Sequence, residues 1–396
     1  MKPKKRVSLM LGSSFNGGKD FSPEEQAAWY RTMQETQPVR YQPEHDLWEV
    51  FRHDDVQHVL TDHSAFSAAV LLEGFPDADT LNSDPPRHRR YRTLAGNAFT
   101  PRRIAQLGPR ITAIVDEILE QGSAEGRLDI VEQLAYPLPV RVIGEMLGVP
   151  LKDQERFRYW SYQLLGFIPN EQDPTHSELL GYFTDQLNQR RKEPRDDLMS
   201  ALLAAEMDGE HMTEEEVLNI CVGLLVAGNV TTTQLLSFAA RCFVKRPEIF
   251  PQLRDDPSLI PGAIEEILRY EFVNASFVRV ARHDTTLGGC EIKEGQIVLV
   301  WLSSANFDET HFPHAEKFDI RRSPNTHLTF GHGIHYCLGA PLARFEGKIA
   351  LERMAAHWSE IQGDPEHPPI YANEQIGLMQ SFPVLVTPRK DFIRAT

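Results

Sequence analysis

Apolar residues along this chain recur mainly at three- and four-residue spacing. Ile104, Leu107, Ile111, Ile114, Val115, Ile118 and Leu119 form one such row and predict a helix over 104–122. The same period predicts helices over 136–147, 151–165, 177–190, 213–243, 261–270 and 341–357. Thr213 ahead of Glu214, Glu215 and Glu216 reads as a helix start, because the dipole favours acids in a first turn. From Val217 to Ala227 that helix is apolar on nearly every face, so it belongs inside a large protein. Strand patterns are fewer: 39–41, 47–51, 277–281, 292–301 and 384–387. The 27 prolines and 25 glycines are dispersed, and no repeat or Gly/Ser linker divides the chain. The pattern predicts one large, mainly α domain with small β-sheets.

Length alone would suggest two or three domains at about 150 residues each. Composition removes other classes. With 41% hydrophobic and 24% charged residues the chain is neither disordered, collagen-like nor a coiled coil. A net charge of −15 argues against a nucleic-acid binder, which needs clustered Lys and Arg. Val7 to Leu11 is too short for a signal-peptide core, so residues 1–20 read as a flexible polar tail before a domain over 21–396. Ile220 to Gly228, the longest apolar run, has about half the residues that span a bilayer. The expectation is a soluble, cytoplasmic monomer with no membrane or nucleic-acid partner. Four cysteines (Cys221, Cys242, Cys290, Cys337) are too few and too scattered for a disulfide scaffold or a zinc module.

One cysteine lies in an unusual setting. Phe330-Gly331-His332-Gly333-Ile334-His335-Tyr336-Cys337-Leu338-Gly339 carries three glycines, which permit a tight turn, and Pro341 then opens a helix. Cys337 therefore precedes a helix N-terminus, where backbone N–H groups and the dipole stabilise a thiolate. A thiolate so held is a good axial ligand for haem iron.

This run resembles the haem-binding signature of the cytochrome P450 family at every constrained position. Glu266-Ile267-Leu268-Arg269 is similar to the family's Glu-x-x-Arg motif, about seventy residues upstream. The resemblance implies a structural role for Glu266 and Arg269. Asp84-Pro85-Pro86-Arg87-His88-Arg89-Arg90-Tyr91-Arg92 resembles the segment whose His and Arg bind haem propionates, which implies that role for His88 and Arg92. Arg279 and His335 match two further propionate contacts, and the match also places Phe330 and Ala227 beside the cofactor. By resemblance, then, the fold is a P450 fold enclosing haem b, with Cys337 as the iron ligand. The implied activity is a haem-thiolate monooxygenase that uses O2 as co-substrate. Electrons come from NAD(P)H only indirectly, through a reductase and a ferredoxin or flavodoxin.

The long helix holds Leu225-Val226-Ala227-Gly228-Asn229-Val230-Thr231-Thr232-Thr233. Gly and Thr inside a buried helix are locally unfavourable, and a Thr hydroxyl can bond back to the i−4 carbonyl. Thr231 matches the family's alcohol that organises proton delivery. The acid that normally precedes it is Val230 here, so the acid–alcohol pair is incomplete. Thr231, Thr232, Asn229 and ordered water are expected to supply protons instead. Two alternatives stay open on this ground: a peroxide-driven or oxidative-coupling enzyme, and a non-catalytic haem-thiolate binding protein. A second departure is Phe307 in Ala305-Asn306-Phe307-Asp308, where the family has Arg; a local compensation is expected.

By position in the family, the substrate pocket takes Val70, Leu71, Leu72 and Phe75, then Leu164, Leu165, Phe167 and Ile168. Gly223 and Val226 come from the long helix, Ala275 and Ser276 from a strand, and Met379 and Gln380 from the C-terminal hairpin. These are mainly apolar, which implies a hydrophobic small molecule as substrate. Residues 87–103 hold six arginines (87, 89, 90, 92, 102, 103) and no acid. They read either as a docking face for an acidic electron donor or as a solvated helix face.

Overall fold

A computed structural model describes residues 6–7, 23–72, 82–96, 99–164, 175–207, 209–271, 276–373 and 378–389. The predicted helices are all present: Pro101–Glu125, Pro137–Leu147, Gln154–Leu164, Thr175–Lys192, Glu214–Lys245, Ile260–Tyr270 and Ala340–His357. One strand prediction is corrected. The run over 292–301 is two strands, Cys290–Ile292 and Ile297–Trp301, separated by a turn through Gly295 at φ +81°. Lys293 and Glu294 in that turn are polar, and Gln296 Oε1 accepts from the Lys293 N–H at 2.8 Å.

The described chain forms two compact units. Met1–Thr93 with Leu268–Leu338 make the first, and Leu94–Ile267 with Gly339–Thr396 the second. The first two boundaries fall inside helices, Arg87–Gly96 and Ile260–Tyr270, so no linker separates the units there.

The first unit is built on a five-stranded sheet in the order Val39–Gln42, Leu47–Val50, Ile297–Trp301, Ser276–Ala281, Phe66–Ser67. Ile297–Trp301 is the hub, parallel to Leu47–Val50 and antiparallel to Ser276–Ala281, with Val298 opposite Arg279. Its five residues are all buried, because both faces are covered. Alternation sends Val298 and Val300 to one core with Val56, Val59 and Leu60 of helix His53–Thr61. Ile297, Leu299 and Trp301 face the other, with Tyr30 and Met33 of helix Pro23–Thr36. Arg6–Val7 pairs with Leu71–Leu72 as a short parallel ladder.

The second unit is organised by Glu214–Lys245. Its start is the predicted one: the Thr213 hydroxyl accepts from Glu216 N at 3.2 Å and the Glu216 carboxylate accepts from Thr213 N at 2.9 Å. The helix is long and apolar enough to cross a bilayer, yet 78% of its most apolar stretch is buried inside the protein, as a core helix is. Gly228 costs about 1 kcal/mol of helix propensity against Ala. Its place is explained by close approach, since a Cβ there would lie 2.9 Å from Ile143 Cδ1 of helix Pro137–Leu147. Pro101–Glu125 packs on Ala340–His357, and Trp358–Gly363, Pro383–Pro388 and Arg127–Asp129 form a three-stranded sheet.

Candidate active site

In the first unit, Gly331 and Gly333 both sit at φ +72°, where a side chain is strained. At Gly333 a Cβ would also come within 3.1 Å of the Leu60 carbonyl oxygen. The turn is closed by backbone bonds from Gly331 N to Leu328 O (2.7 Å), Tyr336 N to Gly333 O (3.1 Å) and Cys337 N to Phe330 O (2.8 Å). Phe277, on strand Ser276–Ala281, rests against Gly331, so the sheet supports the loop. Cys337 is partly exposed and lies just before helix Ala340–His357, which has Pro in its first turn.

Three of the four predicted propionate contacts meet at this loop. The Arg92 guanidinium donates to the Tyr336 carbonyl, next to Cys337. Burial lowers the Arg92 pKa, and the Cys337 sulfur partly offsets this. The His88 and His335 rings pack at 4.1 Å between centroids. Burial, then the Arg92 charge, lowers the His88 pKa, with Asp84 acting against both. Arg279 is only 6% exposed, and burial pushes its pKa down to about 10. Asp84 raises it by charge, but among the described residues no carboxylate lies within ion-pairing distance of Arg279. Its Nη1 donates to the Val278 carbonyl at 2.9 Å. A buried guanidinium with no carboxylate at ion-pairing distance, together with an arginine and two histidines at the cysteine loop, fits the donor set that two haem propionates and a thiolate-bound iron require. Cys337 would hold the iron, and His88, Arg92, Arg279 and His335 the propionates.

Sequence reasoning passed over Asp84, Asn306 and Thr329. Asp84 accepts from Ser67 Oγ at 2.6 Å and pairs with Arg282 at 3.3 Å. Arg269 is wholly buried and donates to the carbonyls of Asn306 and Ala315, each at 2.9 Å. The Asn306 side chain then takes Leu328 N at 2.7 Å and donates to Thr329 Oγ1 at 2.9 Å. Thr329 Oγ1 donates in turn to Leu268 O at 2.8 Å. This chain ties the Glu-x-x-Arg helix to the residues directly before Phe330. Glu266 is likewise fully buried. At the departure, the Phe307 ring lies 5.3 Å from the Arg269 guanidinium and packs with Tyr270 and Phe312. A desolvated cation–π contact of this kind is worth about 2 kcal/mol.

In the second unit, the long helix opens along one stripe. Ala227 and Thr231 are exposed and Gly223 is partly so, at i, i+4 spacing, while their neighbours apart from the half-buried Gly228 are buried. Thr231 Oγ1 donates to the Ala227 carbonyl at 2.7 Å, as its sequence setting implied. Thr232 and Val230 are each 3% exposed and lie off the stripe. Asn229 is completely buried, and neither atom of its carboxamide has a hydrogen-bond partner among the described residues.

The remaining pocket residues divide. Val226 and Met379 are buried, Ser276 is half-buried and Gln380 is exposed. Val70 is buried and packs into the sheet core with Tyr30, Phe51 and Trp301. Phe75, Leu165, Phe167, Ile168 and Ala275 lie outside the described residues, as do the side chains of Leu71, Leu72 and Leu164. Cys221 is a buried thiol with its pKa pushed up to about 12, so it is inert.

The cytochrome P450 family model matches residues 157–383. The chain is 40% identical over 347 residues to the putative cytochrome P450 YjiB of Bacillus subtilis, covering 84% of this chain and 87% of that one. It is 41% identical over 357 residues to the mycinamicin IV hydroxylase/epoxidase of Micromonospora griseorubida, covering 86% and 90%. Among solved structures, CYP109E1 from Bacillus megaterium in complex with testosterone superposes with a TM-score of 0.82 at 36% identity, covering 92% and 99%. The chain therefore belongs to the cytochrome P450 family, the haem-thiolate monooxygenases that use O2 and take NAD(P)H electrons through redox partners.

Proposed function

We propose that this enzyme hydroxylates or epoxidises a large hydrophobic secondary metabolite. The observation that carries the reading is the open stripe Gly223, Ala227 and Thr231 on an otherwise buried helix. It presents small side chains and a single hydroxyl, a surface suited to an apolar molecule oriented by few polar groups. The names of two similar proteins carry a macrolide and a steroid, both bulky and mostly apolar.

The haem, when bound at Cys337, supplies the oxidising chemistry. The chain's own residues position and protonate. Thr231 donates to the Ala227 carbonyl, which leaves its lone pairs to accept from water. The unpartnered Asn229 carboxamide provides a second anchor for ordered water. Together with Thr232 they replace the carboxylate that Val230 lacks.

The native donor in this reading is an acidic ferredoxin or flavodoxin. Arg87 and Arg89 are exposed on helix Arg87–Gly96, and Arg102 and Arg103 are exposed at the start of Pro101–Glu125, in a protein of net charge −15. The enzyme acts as a soluble, cytoplasmic monomer.

A panel of macrolides, steroids, terpenoids and fatty acids, screened by the spin-state shift of the haem and then by product formation with a ferredoxin pair, tests the substrate class. A shift and an oxygenated product are expected from a macrocyclic or polycyclic member. No shift and no product across the panel would refute the reading. For the donor, Arg89→Glu with Arg103→Glu is expected to slow turnover and flatten its salt dependence; an unchanged rate and slope would remove the docking role.

A further inference from the structure

Helix His53–Thr61 and the segment after Asn306 meet at a group of side chains that the haem chemistry does not use. We propose that His53, Asp54 and His311 bind a divalent transition metal of the zinc type, at a site separate from the cysteine loop. Each offers one ligand atom, and the three atoms lie within 4.8 Å of one another. His311 Nε2 is 2.8 Å from Asp54 Oδ1, and His53 Nδ1 is 3.8 Å from the same oxygen. Two imidazoles and a carboxylate are a set that zinc-like ions accept, with water completing the shell.

His53 is the independent indication. Its side chain is 4% exposed, and neither ring nitrogen makes a hydrogen bond of good geometry. A buried imidazole in that state needs an explanation.

The backbones that carry the ligands are already held together. Asp308 Oδ2 accepts from His53 N at 2.9 Å. Its Oδ1 accepts from Thr310 N at 3.0 Å and from Thr310 Oγ1 at 2.6 Å. One carboxylate thus pins the helix start bearing His53 and Asp54 and the turn leading to His311. An open cleft of about 510 Å³ adjoins Asp54, and its acidic side chains outnumber Arg31 and Arg52, a balance that attracts cations. The His53 and His311 rings now stack at 3.7 Å and 19°, so their lone pairs do not converge. Binding turns the ring of His311, which is 30% exposed, out of the stack while His53 stays fixed.

The test uses the haem-loaded enzyme. After chelator treatment it is dialysed against micromolar zinc, and zinc is counted per haem for the wild type and for His311→Ala, Asp54→Asn and His367→Ala. The last removes an unrelated His–Asp pair at 3.0 Å. About one zinc per haem is expected, retained in His367→Ala and lost in the other two. Zinc should also raise the unfolding temperature of the wild type and not of His311→Ala. The haem absorption band reports that each variant is folded. No stoichiometric zinc in the wild type, or zinc undiminished in His311→Ala, would overturn the assignment.

Discussion

Glu346, on helix Ala340–His357, is 1% exposed, and its Oε2 has no hydrogen-bond partner among the described residues. Burial alone raises its pKa from 4.5 to about 8. The folded protein therefore keeps a proton that the unfolded chain releases once pH exceeds about 4.5. Between these values the unfolded state binds fewer protons, so stability falls as pH rises. The fold is free of this cost below about pH 4.5 and bears all of it above about pH 8. At about 1.4 kcal/mol per pH unit the whole interval is worth about 5 kcal/mol, of which about 3 kcal/mol is already felt at pH 7.

Glu346→Gln keeps the shape and removes the ionisation. Both side chains leave the same polar atoms buried, so that cost cancels in the comparison. In a chain of this length about 1 kcal/mol shifts Tm by about 1 °C, because the unfolding entropy scales with residue number. The variant should match wild type within about 1 °C near pH 5 and exceed it by about 3 °C at pH 7 and about 4 °C at pH 8. Calorimetry of the haem-loaded pair at one scan rate, from pH 5 to pH 8, makes the comparison. Titration of other groups is common to both proteins and drops out of the difference. Parallel Tm profiles across this range would refute the reasoning, since a carboxyl that ionises normally gives no such divergence.

Four further outcomes follow from the site. Thr231→Ala, at an exposed position, should leave Tm within about 1 °C but lower the product formed per NADPH several-fold while NADPH consumption continues. Gly333→Ala places a Cβ at φ +72° against the Leu60 carbonyl and should cost about 1–3 kcal/mol, read by chemical denaturation and by haem lost to apomyoglobin. Arg279→Met removes a buried cation and should speed haem loss at least tenfold in the same transfer assay; Arg279→Lys should recover part of it. Val230→Glu puts a carboxyl at a position only 3% exposed, so Tm should fall and product per NADPH should not rise.

Helices such as Pro101–Glu125 were legible because they bury one stripe, and burial repeats with the helical period. The cysteine loop was legible because a turn at positive φ admits few residues besides glycine. The short strands were not. Arg127–Asp129 and Leu378–Ser381 contain no alternation of their own; the first is a strand because Leu128 pairs with Val384, and the second because Leu378 and Met379 pair with Asn373 and Tyr371. Helix His53–Thr61 was missed because four of its nine residues are charged or histidine in its first six positions, which hides an apolar face of Val56, Val59 and Leu60. Asp84, Asn306 and Thr329 act by hydrogen bonds to segments far away in sequence, and no local pattern encodes a partner 22 or 61 residues distant.

The two departures from the family pattern show where sequence reasoning changes character. At position 307 the departure is one of packing: the Phe307 ring lies against the Arg269 guanidinium and is held by Tyr270 and Phe312. At position 230 the missing acid is a chemical loss. Val230 is buried, and the residues on either side of it in sequence carry the Asn229 carboxamide and the Thr231 hydroxyl. Neither changes charge near neutral pH, so they can order water but cannot hold a proton in reserve. In the function proposed above, water organised at those two groups supplies the protons. That ties its coupling efficiency to Asn229 as well as to Thr231, and a double variant at both positions should lose no more than either alone.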